Sequence, residues 1–534
     1  MQQLFERRQY MQRLRNLKDQ NIIKVITGVR RCGKSTLLQM FADELLQKAV
    51  VQEQIQFYNF EDLDTLALGD IFQIHTHIKN KLVADKMNYI FLDEVQNVKD
   101  FQRLVDSLYI KKNCDVYITG SNAYLLSGEL ATLLTGRYIT ISILPLQFTE
   151  YCEFTSHKPP NFGKLESLAV YILEGGIPEY YKQKQISQEQ ADNFVSSVLN
   201  TIIEKDIFAR LDIRDKHNFN KVVDFVLDSV GSFVSPRSIS DTLRTHGMRV
   251  DKEAVARYLD ALCDAFLLYK VPRYEIKGKG LLQTLNKYYL VDPCFRKVRL
   301  KRNMQPDRSH WLENMVYLEL LRRYRDVYVG KIDNKEVDFV VTDHEGYTSY
   351  YQVAWTTENT ETLERELASL KAIKDSNPKY LLTMDVDFNP VYDGIRKLNI
   401  IDWLDEIEHD TEQVNTQVST QDTVQVNLRN ISDTQIDTES IPQVNTQVTM
   451  QVSTQDTMQV TMQVEELLKA FDKEMDRQEI QGKLGLSNRD YFRLSYLKPA
   501  LEQGFIEMTI PDKPNSRLQK YRLTASGKKL KENL

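Results

Sequence analysis

The sequence predicts a multidomain α/β protein in which a parallel sheet comes first and smaller units follow it. Near the amino terminus, a short apolar strand runs into a glycine-containing loop and then into an amphipathic helix. Around residues 310–355, a helix is followed by two apolar strand-like runs, which predicts a second α/β unit. Residues 409–463 become a Thr/Gln/Val-rich repeat nearly free of aromatic residues, so they separate a last small unit from the rest.

Composition and charge limit the classes of protein to consider. The chain has 534 residues, enough for roughly three or four domains. Its net charge of −6 excludes a simple basic nucleic-acid binder, so any such role must come from local patches. The start lacks the apolar core of a signal peptide, and no run of about 18 apolar residues could span a membrane. The five cysteines form no CxxC pair and are interpreted as free thiols, so we expect a cytoplasmic protein.

The first strand–loop–helix segment fits the phosphate-binding pattern G-x-x-x-x-G-K-[ST]. Its glycines allow backbone N–H groups to curl around phosphate oxygens. Lys34 supplies a cation to the β- and γ-phosphates, and the Ser35 hydroxyl ligates Mg²⁺. The expected ATP-binding residues are Gly28, Val29, Arg30, Arg31, Cys32, Gly33, Lys34, Ser35 and Thr36.

Three further strands bring candidate hydrolytic groups. In NYIFLDEV, Asp93 would hold the metal through water, and Glu94 is placed to orient or deprotonate the attacking water. The strand in DVYITGSNAYLL ends at Ser121 and Asn122, where a polar side chain could touch the γ-phosphate and the lytic water. Arg137 precedes another strand and could act as a finger at a neighbour's nucleotide; a solvated loop arginine is the alternative.

These elements resemble an AAA+ ATPase over about residues 20–150. Glu94 directly after Asp93, and the strand end at Asn122, favour this group over GTPase-like P-loop proteins. A guanine-specifying Asn-Lys-x-Asp motif is absent at any fitting position. The resemblance implies ATP and Mg²⁺ as cofactors, and an Arg137 that acts in trans would demand a homo-oligomer of at least two subunits.

Residues 161–300 predict a helical segment that ends in a winged helix. Amphipathic helices fill its first part, with a break at the Gly175-Gly176 and Pro178 turn. Helices then follow at FNKVVDFVLDSVGS, at SPRSISDTLRTHG and over the longer DKEAVARYLDALCDAFLLYKV, before PRYEIKGKGLLQTLNKYYLVD alternates as a hairpin. Three helices and a hairpin are the plan of a winged helix, which reads DNA or docks proteins. A helical spacer that binds no nucleic acid is the alternative.

Residues 1–408 as a whole resemble a family of prokaryotic AAA+ ATPases with a characteristic C-terminal domain of unknown function. The resemblance rests on an ordered set of short motifs, which are GVRRCGKST, FLDEVQ, GSNAYLLSGEL, EGGIPEY, KYYLVDPCFR and NKEVDFVV. It implies ATP binding and hydrolysis, and it does not identify a substrate. The alternative is a regulatory or protein-docking module that uses ATP as a switch with little turnover.

The segment EVDFVVTDHEGYTSYYQVAW (336–355) has the layout of a metal-dependent nuclease. A helix with Glu313, a strand with Asp338 and a paired strand follow the order of the PD-(D/E)XK nuclease fold, which this region resembles. The second strand of such a nuclease reads Glu-x-Lys, whereas Gln352 and Ala354 stand here. Losing a carboxylate weakens a hard-cation site, and losing the lysine removes a group that activates water.

We therefore expect the nuclease-like fold without nuclease activity. Two alternatives stay open. One is a migrated active site that uses Glu336, Lys335 or Lys331, and the other is an unrelated α/β domain.

The last 70 residues predict a second winged helix, tethered by the repeat segment. Gln-Val dipeptides recur mostly at four- or eight-residue spacing in residues 409–463, which cannot bury a core. We interpret this segment as a flexible linker, because its Thr content opposes a valine-striped helix. The module after it alternates helices and two strands, and it resembles the C-terminal winged helix of Fic-family and RecG-helicase-like proteins.

This C-terminal module is locally basic. From residue 489 onward there are ten Lys/Arg and five Asp/Glu. The start of the third helix would present Arg489, Tyr491 and Arg493 to base edges. The wing would present Lys513, Arg517, Lys520 and Arg522 to phosphates. A basic face on a protein-docking module is the alternative, so both DNA and a protein partner are considered.

The expected organisation therefore has five parts, with no membrane segment. They are an AAA+ P-loop domain (1–160), a helical and winged-helix-like domain (161–300), a nuclease-like α/β domain (301–408), a linker (409–463) and a winged helix (464–534).

Overall fold

The computed structural model describes two compact units, divided between residues 435 and 436. The described residues are 5–126, 134, 136–155, 164–211, 213, 215–301, 308–386, 390–404, 467–484, 496–497, 500–501, 504–509 and 519–532. Within these ranges, no helix combines the length and the apolar character needed to cross a membrane.

A five-stranded sheet, with parallel pairing throughout, forms the first layer of unit one. Its strands are β1 (Ile23–Thr27), β2 (Ile55–Asn59), β3 (Asn88–Asp93), β4 (Cys114–Gly120) and β5 (Tyr138–Ser142). Their spatial order is β2-β3-β4-β1-β5. Strands β1 and β3 are buried along their whole length, as expected for parallel strands that are covered on both faces.

Helices cover both faces of this sheet. They are α1 (Arg8–Leu17), α2 (Lys34–Gln47), α3 (Leu63–Leu66), α4 (Ile71–Asn80), α5 (Phe101–Tyr109) and α6 (Phe148–Phe154). On one face, Phe41 of α2 packs on Phe91 and Tyr117 of the sheet. On the other face, Ile90 and neighbouring apolar residues pack with buried residues of α4 and α5. The parallel sheet expected from the sequence is therefore present, with a core on each side.

A helical segment follows the sheet. It consists of α7 (Lys164–Glu174), α8 (Pro178–Lys184), α9 (Gln188–Thr201), a π-helical turn (Ile202–Phe208), α10 (Lys216–Asp228), α11 (Pro236–Thr245) and α12 (Lys252–Asp264). The sequence analysis extended α12 to residue 271, and that part was wrong. The helix ends at Asp264 because Phe266 takes a φ of 54°, and the chain turns there into a strand that begins at Leu268.

A nine-stranded mixed sheet contains both the hairpin after α12 and the second α/β segment. Its strands are β6 (Phe233–Val234), β7 (Leu268–Glu275), β8 (Gly280–Leu290), β9 (Asp326–Ile332), β10 (Lys335–Thr342), β11 (Thr348–Ala354), β12 (Lys379–Thr383), β13 (Val391–Tyr392) and β14 (Ile395–Asn399). Their order is β13-β14-β12-β11-β10-β9-β7-β8-β6. Strand β7 pairs in parallel with β9, and Arg273 lies opposite Val329. One sheet therefore runs across residue 300.

The helices of this region are α13 (Pro293–Leu300), α14 (Arg308–Arg323) and α15 (Thr360–Lys371). The chain order from α14 is helix, three antiparallel strands (β9 to β11), helix α15 and then β12, which pairs in parallel with β11. Helix α15 packs Leu367 and Leu370 against apolar residues of the sheet. Helix α14 places buried Glu313 and Asn314 next to strand β8.

The second unit is small and has its own core, which includes Leu467, Phe471, Ile480 and Tyr521. Its elements are α16 (Arg477–Lys483), β15 (Ile506–Met508), β16 (Tyr521–Leu523) and α17 (Ala525–Glu532). The two strands are antiparallel, in the places where the sequence predicts the arms of a hairpin. The linker and five of the seven expected DNA-contacting residues lie outside the described residues; these five are Arg489, Tyr491, Arg493, Lys513 and Arg517.

Candidate nucleotide-binding site

The carboxyl ends of β1, β3 and β4 meet at one edge of the five-stranded sheet. Strand β4 lies between the other two, with Ile26 opposite Thr119 and Leu92 opposite Ile118. The residues at and just after these strand ends are therefore neighbours. They are the glycine loop, the Asp93-Glu94 pair and the Ser121-Asn122 pair. The sequence singled out these groups separately, and the order of the strands brings them together.

The backbone of the glycine loop requires two of its glycines. Gly28 has a φ of 152°, and a Cβ there would lie 2.2 Å from the Ile143 carbonyl oxygen. Gly33 has a φ of 104° and stands at the N-cap position of α2, and its lack of a side chain permits this left-handed conformation and leaves the helix end open. Ser35 and Thr36 in the first turn are exposed. The start of α2 therefore offers its N–H groups and a hydroxyl to an anion from solvent.

Lys34 is buried, but its ammonium group points into the loop. Nζ donates to the carbonyl oxygens of Gly28 at 3.0 Å and Val29 at 3.3 Å. It also lies 3.5 Å from Oε1 of Glu94. These oxygen contacts stabilise a cation where the loop would hold phosphate, and phosphate oxygens could replace them.

Asp93 and Ser35 form the oxygen-rich side of the site. Oδ1 of Asp93 accepts a hydrogen bond from Thr119 Oγ1 at 2.5 Å, and the Ser35 side chain also hydrogen-bonds to this carboxylate. Burial raises the pKa of Asp93, and both hydrogen bonds oppose that effect. The side-chain atoms that could ligate a metal here are all oxygens, and they come from only two residues, Ser35 and Asp93. They fit Mg²⁺, which keeps several waters and takes phosphate oxygens as its other ligands.

Glu94 follows Asp93 in a left-handed conformation with a φ of 51°. Its Oε2 accepts from Gln96 Nε2 at 2.5 Å and from Ser121 Oγ at 3.0 Å. Burial opposes the charged form, but the cations of Lys34 and Arg30, together with the hydrogen bonds from Gln96 and Ser121, lower the pKa of Glu94. The carboxylate is therefore ionised and oriented, as a group that accepts a proton from water must be.

Asn122 and Arg30 share a partner that the sequence analysis missed. Asn122 Nδ2 donates to the backbone oxygen of Asp206 at 3.3 Å. The Asp206 carboxylate accepts from Arg30 Nε at 2.6 Å and from Arg30 Nη2 at 2.9 Å. Asp206 belongs to the π-helical turn, far along the chain, and no local motif marks it.

The remaining expected residues lie around the loop or away from it. Arg31 is exposed and has a φ of 67°. Cys32 is buried, and burial raises the pKa of its thiol. Arg137 precedes β5 at the opposite edge of the sheet from the loop, where its Nη1 lies 2.5 Å from Oδ1 of Asp106. Arg137 therefore takes no part in the site of its own chain.

A second cluster of charged groups lies between β8, α14 and β10. Lys287 Nζ lies 2.7 Å from Glu313 Oε1 and 4.0 Å from Asp338 Oδ1, and it forms an ion pair with Glu336. Tyr289 also donates to Glu313, at 2.5 Å. Desolvation opposes the charged form of Glu313, but the Lys287 cation outweighs it and lowers the pKa of Glu313. The sequence analysis named the three acids but missed Lys287, because β8 belongs to the preceding hairpin.

The two residues that depart from the nuclease pattern are both buried, and Gln352 is hydrogen-bonded. Gln352 donates from Nε2 to Glu366 Oε2 at 2.9 Å and accepts from Ser369 Oγ at 3.1 Å. Ala354 is buried. The two lysines considered for a migrated site are engaged elsewhere, since Lys335 donates to the Ala368 carbonyl at 3.0 Å and Lys331 pairs with Glu275 at 3.4 Å.

Three parts of the chain match known families. Residues 20–152 match the family described as AAA domain. Residues 165–305 match a domain of unknown function. Residues 462–524 match the C-terminal domain of proteins described as filamentation induced by cAMP protein Fic-like.

Two curated relatives cover most of the first unit. An uncharacterized protein of Haemophilus influenzae is 37% identical over 403 residues, which span 75% of this chain and 98% of the relative. An uncharacterized protein of Methanocaldococcus jannaschii is 28% identical over 398 residues, 72% of this chain and 85% of the relative. Among solved structures, the Walker-type ATPase of Pyrococcus abyssi aligns at 14% identity and a TM-score of 0.38, covering 56% of this chain and 96% of that one.

Proposed function

This chain belongs to the family of AAA-domain proteins that includes its Haemophilus influenzae relative, and on that basis we propose that it binds ATP with Mg²⁺ and hydrolyses it. One observation carries the proposal. Lys34, Ser35, Asp93 and Glu94 meet at a single sheet edge, beside a loop whose glycines have the required backbone conformations. Each group has a role in phosphate transfer that its chemistry permits.

The binding step uses the loop and the start of α2. Backbone N–H groups from Gly33 onward donate to phosphate oxygens, and the helix dipole favours their negative charge. Lys34 exchanges its carbonyl contacts for β- and γ-phosphate oxygens. Ser35 and Asp93 are the side chains that would hold Mg²⁺, which when bound neutralises charge on the phosphates.

The hydrolytic step uses the ends of β3 and β4. Glu94 accepts a proton from the attacking water or orients it, and its lowered pKa keeps it ionised for that task. Asn122 lies at the adjoining strand end, within reach of the same region, and is assigned the contact to the γ-phosphate and water. Gln96 and Ser121 hold the Glu94 carboxylate in place.

The test is ATP hydrolysis by the purified full chain, measured with and without double-stranded DNA. Lys34→Ala should lower turnover at least about 100-fold, because it removes the cation at the phosphates. Lys48→Ala is the matched control, since Lys48 follows the other end of the same helix and forms an exposed pair with Glu44. Equal activity in the wild type and Lys34→Ala would contradict the proposal.

We assign DNA binding to the C-terminal module, and the excess of basic over acidic residues from residue 489 onward supports that assignment. The middle winged-helix-like segment offers a different surface. On α11 and α12, Arg237 and Arg244 both pair with Asp241, and Lys252 pairs with Glu253. A face on which cations already have carboxylate partners attracts phosphate weakly, which favours protein docking for this segment. Stimulation of ATPase activity by DNA would support action at DNA, whereas indifference would shift the proposal to a protein partner.

Nuclease activity is disfavoured by the position of Lys287. Its ammonium group lies among Glu313, Glu336 and Asp338, the carboxylates that a nuclease would turn toward a metal. The order of elements from α14 to β12 supports the nuclease-like interpretation of the fold, and the lysine argues against the chemistry. The DNA from the ATPase assay with Mg²⁺ should therefore remain uncut. Cleavage that Asp338→Ala abolishes would restore the nuclease alternative.

We also propose that Arg137 acts as an arginine finger at the nucleotide of a neighbouring subunit. It is half-exposed and pairs with Asp106, so it is available at the surface. If it acts in trans, specific ATPase activity rises with protein concentration, and Arg137→Ala removes that rise.

A further inference from the structure

A carboxylate from the helical segment reaches the phosphate loop. The Asp206 side chain is 2% exposed, and its two carboxylate oxygens accept hydrogen bonds from the Arg30 guanidinium, at 2.6 Å and 2.9 Å. Such bidentate pairs fix orientation as well as charge. The backbone oxygen of the same residue accepts from Asn122 Nδ2 at 3.3 Å. Asp206 therefore touches the phosphate loop and the end of β4 at once.

The π-helical turn accounts for this reach. Helix α9 is α-helical up to Thr201, and the wider turn Ile202–Phe208 follows, with Ala209 N donating to Glu204 O at 3.0 Å. A wider turn rotates the side chains that come after it relative to a continued α-helix. π-helical turns are rare in proteins, and those that occur often lie at functional sites. Here the turn carries Asp206, the residue that contacts the glycine loop.

The Arg30–Asp206 ion pair has a high desolvation cost, because both side chains are largely removed from water. Arg30 is 12% exposed, and its Nη1 also lies 2.8 Å from Oε1 of Glu61, which follows β2. Removing one partner of such a pair leaves an uncompensated charge, which is strongly unfavourable. The position of the π-helical turn and the position of the phosphate loop are therefore energetically linked.

We infer that Asp206 is a positioning residue for ATP turnover, an inference that rests on the proposed ATPase function. It holds Arg30 and Asn122 in one arrangement, so the distance between the phosphate loop and the water-orienting strand end is set by the helical segment. In the proposed function the loop N–H groups and Lys34 bind phosphate, whereas in the described part of the chain Asp206 contacts the Arg30 side chain and Asn122. Its loss should therefore reduce turnover far more than nucleotide affinity.

The experiment compares Asp206→Asn with the wild type in the full chain. Turnover should fall about 10- to 100-fold, as expected when a catalytic arrangement is loosened without removing a reacting group. The dissociation constant of a fluorescent ATP analogue with Mg²⁺ should change less than about threefold. Asp206→Glu keeps the charge and should recover part of the turnover. Glu204→Gln is the control, since Glu204 lies in the same turn and pairs with Lys216 on the surface.

Two outcomes would overturn the inference. One is turnover in Asp206→Asn equal to that in Glu204→Gln. The other is a parallel loss of turnover, affinity and thermal stability, which would make the role merely structural. The double variant Arg30→Met, Asp206→Asn should turn over ATP no more slowly than the slower single variant, because both substitutions break the same ion pair. A wild type that hydrolyses no more ATP than Lys34→Ala would instead refute the proposed function itself.

Discussion

At the scale of single residues, Asp292 shows how two distant motifs depend on each other. Its Oδ2 accepts from Gly176 N at 2.6 Å, and its Oδ1 accepts from Cys294 N at 3.0 Å. Gly175 has a φ of 79°, and a Cβ there would lie 1.8 Å from Oδ1 of Asp292. The EGGIPEY and LVDP sequences therefore contact each other through Gly175, Gly176 and Asp292, and this contact holds the start of α8 next to the start of α13.

The same burial makes stability depend on pH. Burial raises the pKa of Asp292 from 3.8 to about 6, although the hydrogen bonds from Cys294 and Gly176 oppose the rise. Because the folded pKa exceeds the unfolded one, the fold favours the protonated form. This stabilisation is fully present below pH 3.8 and is lost as pH rises through about 6. A shift of about two units corresponds to about 3 kcal/mol.

We predict that Asp292→Asn removes this pH dependence. Between about pH 4.5 and 7, the wild type should lose about 2 kcal/mol of unfolding free energy relative to the variant. The measurement is the difference in thermal-unfolding midpoint at several pH values. Asp393→Asn is the control, because Asp393 is exposed and a hydrogen bond from Lys371 lowers its pKa, so it titrates below this range. A pH-independent difference for Asp292→Asn would contradict the prediction.

At the scale of elements, strand β8 takes part both in a hairpin and in the buried cluster of charged residues. It is one arm of the hairpin after α12, and it delivers Lys287 to the acids of α14 and β10. Sequence analysis assigned the hairpin and the acids to different domains, and the pairing of β7 with β9 joins them in one sheet. The buried ammonium group compensates charges that would otherwise be costly to bury.

We predict that Lys287→Met destabilises the fold by about 3–5 kcal/mol at pH 7, since it leaves buried Glu313 and Asp338 without this cation. The loss should shrink toward pH 5, because the pKa of Glu313 rises once the cation is gone and the carboxyl can protonate. Unfolding midpoints at both pH values test this. Lys277→Met, which breaks an exposed pair with Asp333, should cost at most about 1 kcal/mol. Equal effects of the two substitutions would refute the compensating role of Lys287.

At the scale of the whole molecule, the chain joins a unit with an AAA-type domain to a small unit whose residues from 489 onward are locally basic. The family matches confirm the AAA-type and Fic-like resemblances, and each unit has its own apolar core. In the second unit, Arg522 already pairs with Glu507 and Glu474, so its charge is partly compensated. Phosphate contacts should therefore fall mainly on the other basic residues of the module.

We predict that charge reversal in the C-terminal module weakens DNA binding. The double variant Arg489→Glu, Lys513→Glu should reduce affinity for a duplex at least tenfold and lower the salt slope by about 2, because two phosphate contacts are lost. Fluorescence anisotropy at several salt concentrations measures both quantities. Arg237→Glu with Lys252→Glu is the matched pair in the middle segment and should have little effect. A larger loss in that pair would move DNA binding to the middle segment.

The sequence by itself determined the parallel sheet, and it predicted the glycine loop after β1 and the acidic pair at the end of β3. These signals are contiguous, because a strand, a glycine loop and a helix start follow one another within a few residues. The same holds for the turn at Gly175 and for the hairpin arms of the last module. The turn signals at these places are local, although the partner of the Gly175-Gly176 turn, Asp292, lies 116 positions from Gly176.

Only the tertiary structure decided which distant groups meet. Arg30 and Asp206 are 176 positions apart, and Lys287 and Glu313 are 26 apart across a predicted domain boundary. Periodicity reports which face of an element is apolar, but it holds no information about which strands pair or where a π-helical turn aims a side chain. The burial of those charges, and the pKa values that follow from it, depend on contacts that form only when the sheets are assembled.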